Sequence, residues 1–282
     1  MIDLKKLLGL LLALFVIHHS PAQAIQSKFY KDVTRSHLPY QDLQQLSMDA
    51  AVADLDNDGD LDIIIANEHR PNILLINNGS GKFSNESAER IPQVNHDSED
   101  IGIADFDNDG DLDIIIVSED DQINELYFNN GDGTFSDEGT RLPVTGTSNS
   151  VVIYDINNDG SIDVLIGNNG QNKVLINDGN GQFLDETVER FGIYNDVTQD
   201  LTLADIDNDG DMDVLVANED NNRILINDGK GFYKDESAAR IPYRDSAEES
   251  REVDAADIDG DGDLDLLYGN VQAFVPGAER QN

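Results

Sequence analysis

One pattern occurs five times in this chain at an almost constant spacing: an acidic stretch that runs directly into an apolar one. Its copies read ADLDNDGDLDIIIAN, ADFDNDGDLDIIIVS, YDINNDGSIDVLIGN, ADIDNDGDMDVLVAN and ADIDGDGDLDLLYGN. Their first aspartates are Asp54, Asp105, Asp155, Asp205 and Asp257, which lie 51, 50, 50 and 52 residues apart. Self-similarity at such a period is typical of repeat architectures, in which each unit buries its apolar surface against its neighbours.

The rest of each unit predicts short β-strands. After each of the first four acidic stretches comes a second apolar run that ends in an Asn-Gly or Asp-Gly turn, as in NILLINNGSGKF and NKVLINDGNGQF. These dipeptides are the strongest short-range hairpin signal, because both turn residues need positive φ. With about four strands in each unit, the sequence predicts an all-β fold, a β-propeller of about five four-stranded blades.

The apolar runs indicate how these strands are covered. IIIA, VLIG and VLVA are apolar at consecutive positions, whereas a strand with one wet face would alternate. We therefore expect each run to form an inner strand that is buried on both faces, as the stacking of one blade on the next requires.

The repeat units are placed at about residues 29–82, 83–134, 135–182, 183–231 and 232–282. The fifth unit ends in VQAFVPGAERQN without a counterpart of the third strand, so we expect the last blade to be incomplete in this chain. The segment FYKDVTRSHLP, from Phe29, matches the last strand of a unit and would complete a final blade in a closed ring. We expect a fragment of a longer protein in preference to an open ring.

The composition excludes some partners. The chain has 57 acidic residues against 18 Lys and Arg, a formal net charge of −39. Such a charge argues against nucleic acid and anionic membrane surfaces, and it suits a chain that binds cations.

The N-terminal residues 1–24 predict a secretory signal peptide. Lys5 and Lys6 precede an apolar run that ends at Ile17, and Ala22 and Ala24 form an A-x-A cleavage signal. The run is too short for a membrane anchor, which takes about 20 apolar residues. We expect a mature chain that is secreted, periplasmic or on the cell surface, with no membrane insertion after cleavage.

The acidic loops carry the pattern of a metal site. In DLDNDGDLD, aspartates stand at positions 1, 3, 5 and 9, and a glycine at position 6 permits a sharp bend. Oxygen ligands in this number favour Ca²⁺, whereas Mg²⁺ demands a stricter octahedron. Position 7 would contribute its main-chain carbonyl. The alternative is a set of solvated acidic turns, in which adjacent carboxylates about 4 Å apart repel by roughly 1 kcal/mol per pair.

An EF-hand shares the start of this pattern but requires a bidentate Glu at position 12. The residues at that position are Ile65, Ile116, Ile166, Val216 and Tyr268. The EF-hand interpretation therefore fails in all five loops.

With its apolar strand, the pattern resembles the FG-GAP repeat of integrin α-chain propellers and the VCBS-type repeats of secreted bacterial proteins. The resemblance covers essentially the whole mature chain. It implies a calcium-binding propeller with about five Ca²⁺, in which each loop joins the innermost strand of a blade to the second.

The resemblance also implies which residues are ligands. By position in the five loops they are Asp54, Asp56, Asp58, Asp60 and Asp62; Asp105, Asp107, Asp109, Asp111 and Asp113; Asp155, Asn157, Asp159, Ser161 and Asp163; Asp205, Asp207, Asp209, Asp211 and Asp213; and Asp257, Asp259, Asp261, Asp263 and Asp265. In the third loop Asn157 and Ser161 replace acids, so we expect that site to be the weakest.

No arrangement of residues points to catalysis, so the sequence favours a binding or adhesion module for an extracellular polysaccharide or a surface protein. The variable connections at 36–48, 88–99, 140–149, 188–199 and 238–251 lie opposite the acidic loops, and such loops commonly carry binding sites. Two alternatives stay open. One is the propeller of a secreted polysaccharide lyase or hydrolase, for which Tyr40, His96, Tyr194 and Tyr243 are the candidates, and the other is a structural spacer in a larger surface protein.

Two further sets of residues recur at the same position in successive repeat units. Five residues before the loops stand Asp49, Asp100, Ser150, Asp200 and Glu252, which are predicted either to bind a cationic or hydroxyl-rich ligand or to cap strand ends. The arginines are Arg90, Arg141, Arg190 and Arg240, which we interpret as structural partners of neighbouring acids rather than as ligands of an anionic glycan.

Overall fold

The computed structural model describes residues 31–119, 123–242 and 249–271. The chain divides into Met1–Thr34, of which only residues 31–34 are described, and Arg35–Asn282. The signal peptide predicted for residues 1–24 lies outside the described residues. Within the described ranges no helix is long and apolar enough to span a membrane.

Five units of antiparallel strands follow one another. The first has β1 (Ser47–Ala53), β2 (Asp62–Arg70), β3 (Ile73–Asn77) and β4 (Phe83–Asn85). The second has β5 (His96–Ala104), β6 (Asp113–Ser118), β7 (Glu125–Asn129) and β8 (Phe135–Asp137). The third has β9 (Ser148–Tyr154), β10 (Asp163–Gly170), β11 (Lys173–Asn177) and β12 (Phe183–Asp185). The fourth has β13 (Asp196–Ala204), β14 (Asp213–Asn218), β15 (Arg223–Asn227) and β16 (Tyr233–Asp235), and the fifth has β17 (Glu249–Ala256) and β18 (Asp265–Val271).

In each of the first four units, the strands pair in chain order as a four-stranded blade. The fifth unit contributes a two-stranded sheet among the described residues. The all-β propeller is therefore confirmed, with two strands of the last blade in the part of the chain that the structure describes. Each blade begins at its first strand, whereas the repeat units defined from the sequence begin at the fourth, so the boundary at residue 82 separates β3 from its partner β4.

Short helices that were not foreseen in the sequence follow the fourth strands of the first four units, and one more precedes β1. They are α1 (Thr34–His37), α2 (Ser87–Arg90), a 3₁₀ helix (Gly139–Arg141), α3 (Thr187–Arg190) and α4 (Ser237–Arg240). Each is a single turn, too short to show a helical period. The N–H of Ser237 donates to Asp235 Oδ1 at 2.9 Å, and that of Thr34 donates to Asp32 Oδ1 at 3.0 Å. Of the segment that begins at Phe29, the structure describes residues 31–39, and residues 31–33 are not in a strand.

Some blades are also joined edge to edge. The far end of β2 pairs with the start of β5, with Glu68 opposite Asp97 and Arg70 opposite His96. The far end of β10 pairs in the same way with β13. As a result, the first and second units form one eight-stranded sheet, and the third and fourth units form another.

The hydrophobic core consists of layers between consecutive blades. In β6, Ile114 packs towards the first unit with Ile64, whereas its neighbour Ile115 packs towards the third unit with Val164. All six residues of β6 and of β14 are buried. The consecutive apolar positions are therefore covered on both faces, as the sequence predicts.

The first strands of successive units lie beside one another and form the inner rim of the blades. The side chains that stand five residues before the acidic loops bridge these strands. Asp100 Oδ2 accepts the N–H of Val151 at 2.8 Å, Ser150 Oγ accepts that of Leu201 at 3.2 Å, and Asp200 Oδ2 accepts that of Val253 at 3.0 Å. Of the two predicted roles for this set, the geometry supports the structural one for these three residues.

Two glycines in equivalent turns differ in how closely another part of the chain packs against them. Gly81 and Gly133 occupy the same turn position, with φ of 71° and 72°. A Cβ on Gly133 would lie 2.5 Å from Cβ and 3.0 Å from Cα of Asp56 in the preceding unit, whereas a Cβ on Gly81 would meet only His37 Cδ2, at 3.8 Å.

We expect Gly133→Ala to lower the free energy of unfolding by about 1–3 kcal/mol more than Gly81→Ala. Both substitutions add strain in the left-handed region, but only the first overpacks an interface. Urea unfolding of both variants in EDTA measures the difference. Equal losses would contradict the close packing of the turn on the preceding unit.

Candidate metal centres

Each acidic loop joins the first strand of a unit to the second, at the same end of every blade. Two positions of the loop have positive φ. Position 4 is asparagine in the first four loops, with φ from 57° to 61°, and position 6 is glycine, as at Gly59 with φ 92°. Asparagine and glycine tolerate this region best, so the loop sequence fixes the bend that turns alternate side chains inward.

Two hydrogen bonds recur inside all five loops. The carboxylate at position 1 accepts the N–H of the position-6 glycine, as from Gly59 to Asp54 Oδ2 at 3.0 Å and from Gly160 to Asp155 Oδ2 at 2.8 Å. The carboxylate at position 5 accepts the N–H of position 7, as from Asp60 to Asp58 Oδ1 at 2.9 Å. These bonds leave at least one oxygen lone pair of each carboxylate available.

The aspartate at position 9 opens the second strand and is buried in the first four units. In the second unit, Asp113 Oδ2 accepts the N–H of Phe106 at 2.9 Å, and Oδ1 accepts the N–H of Asn129 on the third strand at 2.9 Å. Burial raises the pKa of Asp113 to about 7 and that of Asp163 to about 6, although the two N–H donors act in the opposite direction. An ionised carboxylate in this position is costly unless a nearby positive charge offsets its desolvation.

The carboxylates converge as the metal hypothesis requires. One oxygen from each of Asp54, Asp56 and Asp58 lies within 4.8 Å of the others, and positions 1, 3 and 9 meet this criterion in the second and fourth loops. In the first loop, Asp54 Oδ1 and Asp56 Oδ1 are buried and accept no hydrogen bond. Buried oxygens without donors are costly unless a cation is bound, so these residues fit a hard divalent metal.

The side chains at position 7 do not join this convergence. Asp60 Oδ2 lies 2.8 Å from where a Cβ on Gly79 would stand, and Asp111 and Asp211 lie similarly against Gly131 and Gly229. Their side chains are therefore turned to the neighbouring turn. This arrangement leaves only the main-chain carbonyl for a metal, which is the contribution expected from the sequence.

The third and fifth loops differ from the rest. In the third, Asn157 Nδ2 donates to Asp159 Oδ2 at 2.8 Å, so an amide occupies a carboxylate position and engages its neighbour. In the fifth, Asp257, Asp259, Asp261 and Asp265 are exposed.

The recurring arginines are placed beside the loops. Arg90 donates from Nε to Glu86 Oε2 at 2.7 Å and from Nη1 to the carbonyl of Asp132 in the next unit at 2.8 Å, while its Nη2 lies 3.5 Å from Asp56 Oδ2. Arg141 and Arg190 make the same two kinds of hydrogen bond. The structural role inferred for them from the sequence is supported, since each joins its unit to the next.

Asparagines that connect neighbouring loops were not foreseen in the sequence. Asn57 Nδ2 donates to Asp111 Oδ1 at 2.6 Å, and Asn108 Nδ2 donates to the carbonyl of Gly179 at 3.0 Å. The signal was present, because asparagine recurs at position 4 of the first four loops. Only the fold, however, shows that this side chain reaches the next blade.

One substitution distinguishes the two effects of a loop carboxylate on stability, which are repulsion in the absence of metal and binding in its presence. Burial and the neighbouring Asp109 and Asp105 raise the pKa of Asp107, so its negative charge is unfavourable without a cation. We expect Asp107→Asn to raise Tm in EDTA, by relieving repulsion of on the order of 1 kcal/mol, and to lower Tm in calcium.

The matched control for this measurement is Asp111→Asn, which removes one charge from the same loop at a side chain turned away from the convergence. Thermal melts of both variants with EDTA and with calcium measure the effect. If Asp107→Asn and Asp111→Asn lose the same share of the calcium response, position 3 is not a ligand.

Comparison with known proteins agrees with this geometry. The chain matches the FG-GAP-like repeat family over residues 54–116, 105–166, 155–216 and 205–268. Similar solved structures include an Agrocybe aegerita lectin that recognises non-reducing terminal N-acetylglucosamine, with 25% identity, a TM-score of 0.43, and coverage of 65% of this chain and 49% of the lectin. They also include the V. cholerae biofilm matrix protein Bap1, with 18% identity, a TM-score of 0.45, and coverage of 79% of this chain and 35% of Bap1.

The chain thus spans about half of the length of the first of these proteins and about a third of the second. A search of the curated proteins found no match. The matched repeats extend without interruption from the first acidic loop to β18 and contain every candidate metal ligand. The chain belongs to the FG-GAP-like repeat family.

Proposed function

We propose that the chain is an exported β-propeller that is stabilised by about five Ca²⁺ and binds an extracellular glycan, without catalysis, at the end of the blades opposite the acidic loops. The observation that carries the calcium proposal is the loop geometry, with converging carboxylates and buried oxygens that lack donors. The observation that carries the glycan proposal is a polar cleft at the opposite end of the first unit.

Magnitudes support a structural role for the metal. Extracellular modules of this kind bind Ca²⁺ with Kd of about 10⁻⁴–10⁻³ M. At about millimolar free calcium, each occupied site contributes roughly 0.4–1.4 kcal/mol, or roughly 2–7 kcal/mol for five sites. This is comparable with the whole stability of a domain, about 5–15 kcal/mol.

The cleft has a volume of about 660 Å³, and its walls come from the connection before β1 and from the end of β2. They are formed by Gln44, Gln45, Leu46, Glu68, His69 and Arg70. This volume is in the range of ligand sites, about 300–1,000 Å³. Amides donate and accept hydrogen bonds, carboxylates accept them and guanidinium groups donate them, so the set as a whole suits the hydroxyl groups of a sugar. The exposed Leu46 offers an apolar surface for its C–H face.

One residue in the wall of the cleft, His69, contacts a buried carboxylate on the neighbouring strand. His69 has a φ of 55°, and its Nδ1 lies 3.5 Å from Oδ1 of the buried Asp97 on the neighbouring strand. A second hollow of about 330 Å³ shares Gln45 with the cleft and continues along Asp42, Asn72 and Gln93. The two hollows together could hold more than one sugar ring, which favours a polysaccharide over a monosaccharide.

The calcium proposal predicts a large thermal response. A melt of residues 25–282 should show Tm rising by roughly 5–25 °C between excess EDTA and saturating calcium, with half of the rise near millimolar calcium. Magnesium should not reproduce the rise, because it demands octahedral geometry and keeps its waters. An unchanged Tm, or an equal response to magnesium, would contradict a calcium-specific role.

The glycan proposal predicts a ligand on an array of polysaccharides and oligosaccharides probed with the calcium-loaded protein. We expect Arg70→Ala and Glu68→Gln each to weaken binding of that ligand by about tenfold, the effect of losing a hydrogen bond to a charged group. Lys230→Ala, which changes one charge in a turn on the acidic-loop end, should leave affinity unchanged.

Isothermal titration with the strongest array ligand measures these affinities, and product analysis of the same mixtures tests for catalysis. Binding that survives both cleft substitutions would place the site elsewhere. Depolymerisation of the glycan would show an enzyme in place of a binding module.

A further inference from the structure

We propose that Asn129 and Asn177 are positioning residues that couple the acidic loops of the first three units, so that calcium binds to these loops cooperatively. The inference rests on the proposed calcium binding and adds to it a pattern of site filling. It is carried by a continuous series of buried hydrogen bonds that passes from one loop to the next.

The side chain of Asn129 makes every hydrogen bond available to it. Its Oδ1 accepts the N–H groups of Gly131 and Gly133, both at 3.1 Å, which closes the turn after β7. Its Nδ2 donates to the carbonyl of Leu112 at 3.2 Å in its own unit and to that of Leu55 at 2.9 Å in the preceding unit. Asn129 therefore joins two units through its side chain.

These bonds join a ligand of the first loop to a ligand of the second. Asp62 Oδ2 accepts the N–H of Leu55 at 3.0 Å, and the carbonyl of the same residue accepts Asn129 Nδ2. The backbone N–H of Asn129 then donates to Asp113 Oδ1 at 2.9 Å. Asp62, Leu55, Asn129 and Asp113 are all buried, so water does not substitute for these partners.

The same series continues into the third loop. Asp113 Oδ2 accepts the N–H of Phe106 at 2.9 Å, and the carbonyl of Phe106 accepts Asn177 Nδ2 at 2.7 Å. The N–H of Asn177 donates to Asp163 Oδ1 at 2.8 Å. Phe106, Asn177 and Asp163 are also buried.

The series ends before the fourth loop. Asn227 closes the equivalent turn through Gly229 and Gly231, and its N–H donates to Asp213 Oδ1 at 2.8 Å. Within the described residues, however, its Nδ2 donates to the carbonyl of Met212, at 3.1 Å in its own unit, and to no carbonyl of the third unit. The chain thus provides an uncoupled copy of the same residue.

The coupling has a definite sign. A cation in the first loop fixes Asp62 and, through it, the backbone at Leu55, which is the acceptor that orients Asn129. Asn129 in turn fixes Asp113, so the second loop loses less conformational entropy when its own cation binds. The positive charge of that cation acts in the opposite direction, because it weakens the attraction of the next loop for a second dication. Since the first loop holds five aspartates, it stays negatively charged after one dication binds, and we expect the ordering effect to exceed this repulsion.

The third loop should gain most from this coupling. Its two substitutions, Asn157 and Ser161, reduce the negative charge that attracts a cation. Asn177 joins it to the stronger second loop, so it fills at a calcium concentration below that of the same loop in isolation. A coupling of the usual size would raise its affinity by about 5-fold or more.

The experiment is a calcium titration of residues 25–282 by calorimetry and by native mass spectrometry, for the wild-type chain and for Asn129→Ala, Asn177→Ala and Asn227→Ala. As calcium is added to the wild type, we expect protein with three bound ions to form while protein with one or two bound ions stays scarce. Asn227→Ala should keep this distribution, because the side chain of Asn227 makes no hydrogen bond to a loop of the third unit within the described residues. In Asn177→Ala, the third of these ions should bind about 5-fold more weakly or worse.

The outcomes separate the two proposals. If the wild type binds no calcium, both the metal sites and their coupling are wrong. If it binds several ions in a statistical distribution, the calcium sites stand and the coupling is overturned. The coupling is also overturned if Asn177→Ala and Asn227→Ala change the titration equally. The wild-type distribution tests the coupling even if a variant does not fold.

Discussion

The structure depends on one buried carboxylate in each of the first four units, the aspartate that ends the acidic loop and begins the second strand. Asp113 is typical, since one of its oxygens holds the loop through Phe106 and the other holds the third strand through Asn129. Without it, two main-chain N–H groups would be buried with no acceptor, at a cost of about 1–3 kcal/mol each. The loop, the strand that follows it and the returning strand are therefore a single unit of structure.

That arrangement is unfavourable in isolation, and the rest of the blade offsets the cost. The carboxylate is desolvated because it begins a strand with both faces in contact with neighbouring blades, as Ile114 and Ile115 show. Close packing and a high density of negative charge thus occur at the same place. A dication bound as we propose would resolve the conflict, since it would reduce the repulsion without requiring the strand to move away from the core.

Much of this could be predicted from the sequence because the period and the turn residues are local signals. The fivefold spacing, the Asn-Gly and Asp-Gly turns and the consecutive apolar residues are sufficient for the propeller and for the strands buried on both faces. The one-turn helices were missed because four residues cannot show a period. The bond from Asn57 to Asp111 and the bridge from Asp100 to Val151 were beyond reach for another reason: each joins residues about 50 positions apart. Their partners are set by how blades stack, which no local pattern encodes.

The edge pairing of β2 with β5 and of β10 with β13 joins neighbouring units by backbone hydrogen bonds. Among the described strands, backbone hydrogen bonds join the first unit to the second and the third to the fourth, while the second and third units meet through side chains. Under mechanical load, ladders of backbone bonds and layers of side chains yield differently. A force that separates the first unit from the second, or the third from the fourth, therefore has to break backbone hydrogen bonds as well as side-chain packing.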